Sequence, residues 1–223
     1  MYYLDLHTHN FQKNDQTVIV RNFYPNSNLE DFDYFSMGIH PWYIDLNTHE
    51  FEIKLIEKQL SNPYCIAVGE CGLDRTIKTD FLLQKKVFLK QTILAEKYKK
   101  PIILHSVKAY QEITEILKKE KITVPIIFHG FSKNSHIHSL LLKFPTIYFS
   151  YGKSMLTSKV TQANILATPI DRLFVETDNA QVEISLLYYK VAEIKKITVE
   201  TLQKQVLLNF QKIFKVDLID DNG

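Results

Sequence analysis

The sequence predicts an α/β chain closed as a (β/α)8 barrel, trimmed and irregular over residues 1–40, in one domain spanning residues 1–223. Three observations predict it. Eight short apolar runs of strand length recur along the chain, and such runs read as buried strands of a parallel sheet. From the third run onward, stretches with helical periodicity alternate with them. Five of the runs end in residues able to bind a metal, and in parallel α/β folds reacting groups gather where the C-terminal ends of the strands meet.

In chain order, the first strand is Tyr2 to Leu6, followed by a polar stretch, Asn10 to Gln16. The second is Thr17 to Val20, with a loop rich in Asn, Ser and Pro after it, Arg21 to Asp33. Tyr34 to Ile39 is the third, closed by His40-Pro41-Trp42. A helix is expected at about Thr48 to Leu60, with Phe51, Leu55 and Ile56 on its inner face. The fourth strand runs from Cys65 to Glu70, and Gly72-Leu73-Asp74-Arg75 opens a loop. Asp80 is placed to cap a long helix through Lys99, whose stripe Phe81, Gln84, Val87, Phe88, Gln91, Ala95 faces the core.

Strands at Ile102–Leu104, Val124–Phe128, Ile147–Ser150 and Leu173–Glu176 follow. Helices are expected near 108–119, 134–143, 158–166, 183–192 and 199–214. The early connections, His7 to Gln16 and Arg21 to Asp33, are short and unpatterned, whereas a parallel crossover commonly needs a dozen residues or more. The region before Tyr34 is therefore expected to lack regular helices, with the second strand antiparallel or displaced.

Composition narrows the class. The chain has 223 residues, 45% hydrophobic and 23% charged, with a formal net charge of +2. That supports a real core and gives no strong pull toward nucleic acid or an anionic membrane, though a nucleic-acid substrate held mainly through metals remains compatible with it. Cys65 and Cys71 form no Cys-x-x-Cys unit; they read as a buried thiol and a small residue beside Glu70, which suits a reducing compartment. No leader pattern and no apolar run of about 20 residues is read. The expectation is a soluble cytoplasmic protein with no membrane partner; oligomeric state is not readable.

The strand endings carry the chemistry. His7 and His9 stand two apart, and positions i and i+2 of a strand share a face. His136 and His138 have the same spacing in a helical stretch, where i and i+2 diverge; both are read as solvated surface. Glu70 ends an apolar run, where an unpaired carboxylate would be costly; a cation resolves that cost, and one Glu can bridge two ions. His105 and His129 each close a Pro-led strand and, taken singly, are as readily core histidines as ligands. Asp178 ends strand eight, which neighbours strand one in a closed barrel. There it can bind metal and accept a proton from water. Glu176 is a ligand or a second-layer partner of a ligand histidine, and Asp5 is placed in that second layer too. His40, Asp74 and Lys108 are placed in the substrate pocket, with Lys108, Arg75 or His40 available for a phosphate oxygen. The Lys-rich stretches at Lys118–Lys121 and Lys195-Lys196 read as solvated helix faces.

Taken together these pieces resemble the TatD family of metal-dependent hydrolases and deoxyribonucleases. The matching segments come in family order: Asp5-Leu6-His7-Thr8-His9, Gly38-Ile39-His40-Pro41, Val68 to Asp74, Ile103-Leu104-His105-Ser106, Phe128 to Ser132, and Val175-Glu176-Thr177-Asp178, with Asn209 to Phe214 similar to the closing helix. The resemblance implies a TIM-like barrel with two divalent ions. His7 and His9 would hold one and His105 and His129 the other, with Glu70 bridging and Asp178 completing the first. It implies phosphodiester hydrolysis, with exonuclease action on DNA as the best-known case, a metal-activated water as nucleophile, and Glu70 and Asp178 as the catalytic carboxylates.

Zn, Mn, Co and Mg all suit the donor set. The segment between His9 and Gly38 is shorter than usual, Val107 replaces the usual Arg, and Asn179-Ala180-Gln181 replaces the usual Pro-containing stretch. The substrate walls therefore depart from the pattern while the metal residues keep it. The alternatives are a phosphomonoesterase or amidohydrolase on the same barrel, since such enzymes also begin with His-x-His, and a non-catalytic metal-binding barrel. The Gly72-Leu73-Asp74 and Glu176-Thr177-Asp178 pieces argue against the two enzyme alternatives.

Overall fold

The computed structural model describes residues 2–10, 15–29 and 34–216. Eight strands form one sheet in sequential order: β1 (Tyr3–Thr8), β2 (Thr17–Phe23), β3 (Tyr34–Met37), β4 (Cys65–Asp74), β5 (Ile102–Val107), β6 (Ile126–Phe128), β7 (Ile147–Tyr151) and β8 (Leu173–Val175). Every neighbouring pair is parallel. Just past the named end of β8 the sheet returns to β1. Asp178 N donates to His7 O at 2.9 Å and His9 N to Asp178 O at 3.2 Å, and Thr8 bridges Asp178. The barrel is nearly closed, and its closure is made by the residues that the sequence assigns to chemistry.

The helices are α1 (His49–Gln59), α2 (Phe81–Tyr98), α3 (Tyr110–Lys119), α4 (Ser135–Leu142), α5 (Lys159–Ala167), α6 (Ile184–Lys195) and α7 (Val199–Phe214). Asp80 caps α2 as expected, accepting from Leu83 N at 2.8 Å. Among the described residues before Tyr34 there is no helix; Phe11 to Asn14 and Glu30 to Asp33, parts of the two expected loops, lie outside the described residues, as do residues 217–223. No described helix is long and apolar enough to cross a membrane.

Four expectations need correction. The second strand is neither antiparallel nor displaced: β2 lies parallel between β1 and β3, with Leu4 beside Val18 and Arg21 beside Phe35. Reach explains it. Thr17 starts level with Tyr3, so the chain must return about 17 Å from Thr8 at about 3.3 Å per residue. The residues from Thr8 to Thr17 can span about 30 Å when extended, so no helix is required.

The fourth strand does not stop at Glu70 but continues through Asp74, where Gly72, Leu73 and Asp74 pair with His105, Ser106 and Val107. The glycines that read as a loop serve a close approach instead. At Gly72 (φ 153°) a Cβ would stand 1.9 Å from His105 O, and at Gly69 (φ 145°) it would stand 2.4 Å from Ile103 O. Only glycine permits both that backbone and that distance.

On α1, Phe51 is 60% exposed, and the inner face is Ile53, Ile56 and Leu60. On α4, His136 is exposed but His138 is buried, its Nε2 2.8 Å from Thr168 Oγ1. Positions two apart on a helix point to different sides, so one ring faces solvent and the other the core.

Two polar members of the α2 stripe do more than pack. Gln91 Oε1 accepts from Ile39 N at 2.7 Å and its Nε2 donates to Ile39 O at 3.2 Å. Gln84 does the same for Asp74, at 2.9 and 3.1 Å. Both glutamines thus satisfy backbone groups at the C-terminal ends of β3 and β4, beside the strand-end side chains.

Burial, and next the nearby Arg172 and Lys195 charges, push His138 down to about 4. The unfolded chain then takes up a proton below about pH 6.5 that the folded chain refuses. This contribution is complete above about pH 6.5 and is lost as pH falls toward 4, roughly 3 kcal/mol across the window. Urea denaturation at pH 7.0, 5.5 and 4.5 should show a steeper loss of stability for the natural chain than for His138→Gln; parallel curves would refute it. Gly72→Ala should cost roughly 2–4 kcal/mol in the same assay at pH 7.

Candidate metal centre

Six predicted residues meet at the C-terminal mouth of the barrel. Glu70, on β4, is the hub, and its two carboxylate oxygens face different groups. Oε2 lies 3.4 Å from His7 Nε2 and 3.5 Å from His9 Nε2. Oε1 lies 2.8 Å from His129 Nε2, 2.9 Å from His105 Nδ1 and 3.1 Å from His40 Nε2. On the Oε2 side, Asp178 Oδ1 stands 3.8 Å from His7 Nε2 and 3.6 Å from His9 Nε2.

Among the described residues, donor atoms close enough to share one ion fall into three overlapping sets: His7, His9, Asp178; His7, Glu70, His129; and His40, Glu70, His105. The first matches the expected pairing. The others differ from it, because His40, expected against the substrate, stands among the donors, and His129 is grouped with His7.

The local chain explains each placement. Successive side chains of β1 alternate, so His7 and His9 both face inward, and their rings meet edge to face at 5.1 Å. His40 follows Ile39, held by Gln91, and caps the short 3-10 turn Pro41–Tyr43 by accepting from Trp42 N through Nδ1 at 3.2 Å. The Glu70 backbone is fixed by Asn22 on β2, whose Oδ1 accepts from Glu70 N at 2.6 Å. Sequence reasoning missed Asn22; nothing marks an Asn within a short strand as a support for a residue on another strand.

The second-layer expectations fall where geometry can judge them. Glu176 is fully buried, and its Oε1 lies 3.3 Å from His129 Nδ1 while accepting from Gly130 N at 2.6 Å. Asp5 accepts from Thr177 N at 2.9 Å and Thr177 Oγ1 at 2.5 Å, so it ties the Glu176-Thr177-Asp178 segment to β1. Asp74, expected in the substrate pocket, is 1% exposed, its carboxylate taken up by neighbouring groups. Its Oδ2 takes the Trp42 indole N–H at 2.8 Å and lies 3.5 Å from His105 Nε2, and its Oδ1 takes Thr76 N. Lys108 is exposed at φ 51°. Arg75 pairs with Glu112 and lies over the Phe81 ring. Half-buried Lys133, pushed down by burial against the pull of Asp74, is a cation of the mouth that the sequence did not flag.

The electrostatics are those of a compact charge cluster. Burial alone would raise Glu70, but the His129 charge and hydrogen bonds from His105, His129 and His40 hold it well below the usual carboxylate range. Burial would lower His129, yet Glu70 and Glu176 hold it well above the usual histidine range. Burial lowers His40 and raises Asp5, the latter to about 7. Burial, with Glu176 next, raises Asp178.

Whether these residues fit a metal can be tested on the chain itself. Both ring nitrogens of fully buried His7 have no hydrogen-bond partner, and neither does Glu176 Oε2. Buried polar atoms are seldom left so, and a cation beside His7 would satisfy Nε2. The mixed imidazole and carboxylate donors suit Zn, Mn or Co.

The sequence pattern of the family described as TatD related DNase matches residues 24–215. The chain belongs to the TatD-related DNase family. A Buchnera aphidicola protein named as an uncharacterized metal-dependent hydrolase is 30% identical over 199 residues, 81% of this chain and 74% of that one. A human protein named 3'-5' RNA nuclease TATDN2 is 32% identical over 158 residues, 67% of this chain but 20% of that one. The crystal structure of YJJV, a TatD homolog from Escherichia coli K12, superposes with a TM-score of 0.78 over 96% of this chain and 98% of its own, at 19% identity; it supports the TIM-type barrel fold. Metal-dependent hydrolase is thus the class in which this TatD-family chain stands.

Replacing Glu176 by Gln should weaken binding of Zn²⁺ or Mn²⁺ by about 10–100-fold while the fold persists. Titration calorimetry alongside circular dichroism checks this, and unchanged affinity would remove Glu176 from the support of His129.

Proposed function

We propose that this protein is a phosphodiesterase acting on nucleic-acid ends, a deoxyribonuclease or closely related exonuclease, working in one cytoplasmic domain with two divalent ions. The single observation that carries the reading is the division of Glu70: one oxygen toward His7 and His9, the other toward His40, His105 and His129. A carboxylate flanked in this way is built to be shared between two cations. The family supports a nucleic-acid substrate, as does the human relative named as an RNA nuclease. Cys65 and Cys71, both buried and free, suit a reducing compartment.

His7, His9 and Asp178 would hold one ion and His105 and His129 the other, with Glu70 between them and His40 within reach of the second. Two such ions, when bound, supply Lewis acidity to a phosphoryl oxygen and lower the pKa of water. The remaining work belongs to the chain. Asp178 is the one carboxylate of the cluster with substantial exposure, its side chain 39% accessible. It stands on the substrate side, where its carboxylate, with Oδ1 accepting from Asn179 Nδ2 at 3.2 Å, would orient the attacking water and accept its proton. Glu176 holds the His129 ring, Asp74 the His105 ring, and Asp5 the segment carrying Asp178. Lys133 offers a positive charge to a phosphate at the mouth.

Elemental analysis of the purified protein should find divalent metal, and hydrolysis of methyl p-nitrophenyl phosphate and of short oligonucleotides should require it. Asp178→Asn should lower kcat by about 10²–10⁴-fold with an unchanged melting temperature. Full activity in that variant, or in metal-stripped protein, would overturn the assignment.

A further inference from the structure

A second cavity adjoins the centre. It has a volume of about 250 Å³ and is lined by Tyr24, Pro25, Asn26, His40, Tyr43 and Glu52, with Ile39 beneath. It touches the cluster from both sides: the Tyr24 ring stacks on His9 with centroids 6.2 Å apart, and the Tyr43 ring lies 5.6 Å from His40. Tyr24 and Tyr43 meet edge to face at 5.0 Å, forming an aromatic corner, and Tyr43 is 56% exposed, so the corner opens to solvent. Behind it lies Glu52, a carboxylate only 9% exposed, whose Oε1 accepts from Asn26 Nδ2 and Thr48 Oγ1, both at 3.2 Å.

We infer that this cavity is a nucleobase subsite that prefers guanine, seating the base of the nucleotide next to the cleaved bond. The inference rests on the phosphodiesterase reading above. Its walls decide which end of a nucleotide enters. An aromatic corner packs against a base face whatever the sequence. A carboxylate at the back repels a phosphate and can only accept hydrogen bonds, and with Oε1 shared by Asn26 and Thr48 a base's donors fall to Oε2, so the phosphate is left toward Glu70 and the proposed ions. Guanine presents two adjacent donors, N1–H and N2–H, to one carboxylate. Adenine and cytosine place an acceptor beside their single amino group, and uracil and thymine flank one N–H with two carbonyls. A two-donor match of this type discriminates by about five- to 150-fold.

The test uses the full chain with Mn²⁺. Four oligonucleotides differing only in the terminal base are compared by kcat/KM, beside the base-free diester methyl p-nitrophenyl phosphate, and the four nucleoside monophosphates are compared by calorimetry. Guanine should be favoured about tenfold in both series, and Glu52→Gln should bring that ratio to within about twofold. Tyr43→Ala, at an exposed position, should weaken guanosine monophosphate binding by about tenfold.

Cleavage of the diester and of all four oligonucleotides at equal rates would overturn the base pocket and leave the phosphodiesterase reading standing. No cleavage of any substrate would overturn that reading, and calorimetry then decides the pocket alone: equal affinity for the four monophosphates sinks it. A ratio that survives Glu52→Gln, or rates falling equally on all four bases, overturns the subsite and leaves Glu52 only as a tie between Asn26 and Thr48.

Discussion

The structure turns on one buried carboxylate. Glu70 sits 4% exposed at the centre of the barrel mouth, and burying an ionised carboxyl without compensation costs several kcal/mol. Compensation comes from His129, His105 and His40 on three different segments, so it is complete only when β3, β4, β5 and β6 have all reached register. The charge and the fold are in this sense one constraint: the barrel brings the imidazoles together, and the carboxylate makes their proximity favourable. Asn22 on β2 ties in an early strand by holding the Glu70 backbone.

That constraint accounts for features that otherwise look unrelated. Gly69 and Gly72 flank Glu70 by one and two residues, and both let β4 approach β5 closer than any side chain would permit. The approach carries Glu70 Oε1 to within 2.9 Å of His105 Nδ1. Gln84 and Gln91 are polar residues on the inner stripe of α2, where an apolar pair would pack as well. Instead they fix the ends of β3 and β4, the two strands that deliver His40, Glu70 and Asp74. The helix layer is therefore tied to the mouth by hydrogen bonds to strand-end backbone as well as by packing.

Most of the barrel and most of the cluster could be read from residue order, because parallel strands are marked by apolar runs and the mouth by what ends them. His7, His9, Glu70, His105, His129 and Asp178 were visible for that reason. What stayed hidden depends on distances across the sheet. The parallel course of β2 follows from reach, which pattern alone does not weigh. The extension of β4 to Asp74 was masked by glycines that resemble a turn when their neighbour on β5 is unknown. His40 looked like a pocket residue because the 3-10 turn that aims its Nε2 at Glu70 leaves no periodic signal. His138 was read as surface from its partner's spacing, although that same spacing sends the two rings to opposite sides.

The proton inventory of the cluster bears on how such a centre assembles. His129 stands between Glu70 and Glu176, 2.8 Å from one and 3.3 Å from the other, and the two carboxylates hold its proton. The ring and the two carboxylates thus offset part of one another's burial cost. Holding a divalent cation would need the neutral His129 ring, and Glu176 is placed to accept from its Nδ1–H. His7 has no such arrangement, since neither nitrogen has a partner and its burial is complete. The two sides of Glu70 are therefore unequal before loading. The Oε1 side faces His129, which Glu70 and Glu176 hold well above the usual histidine range, and the Oε2 side faces an imidazole without a hydrogen-bond partner beside the more exposed Asp178.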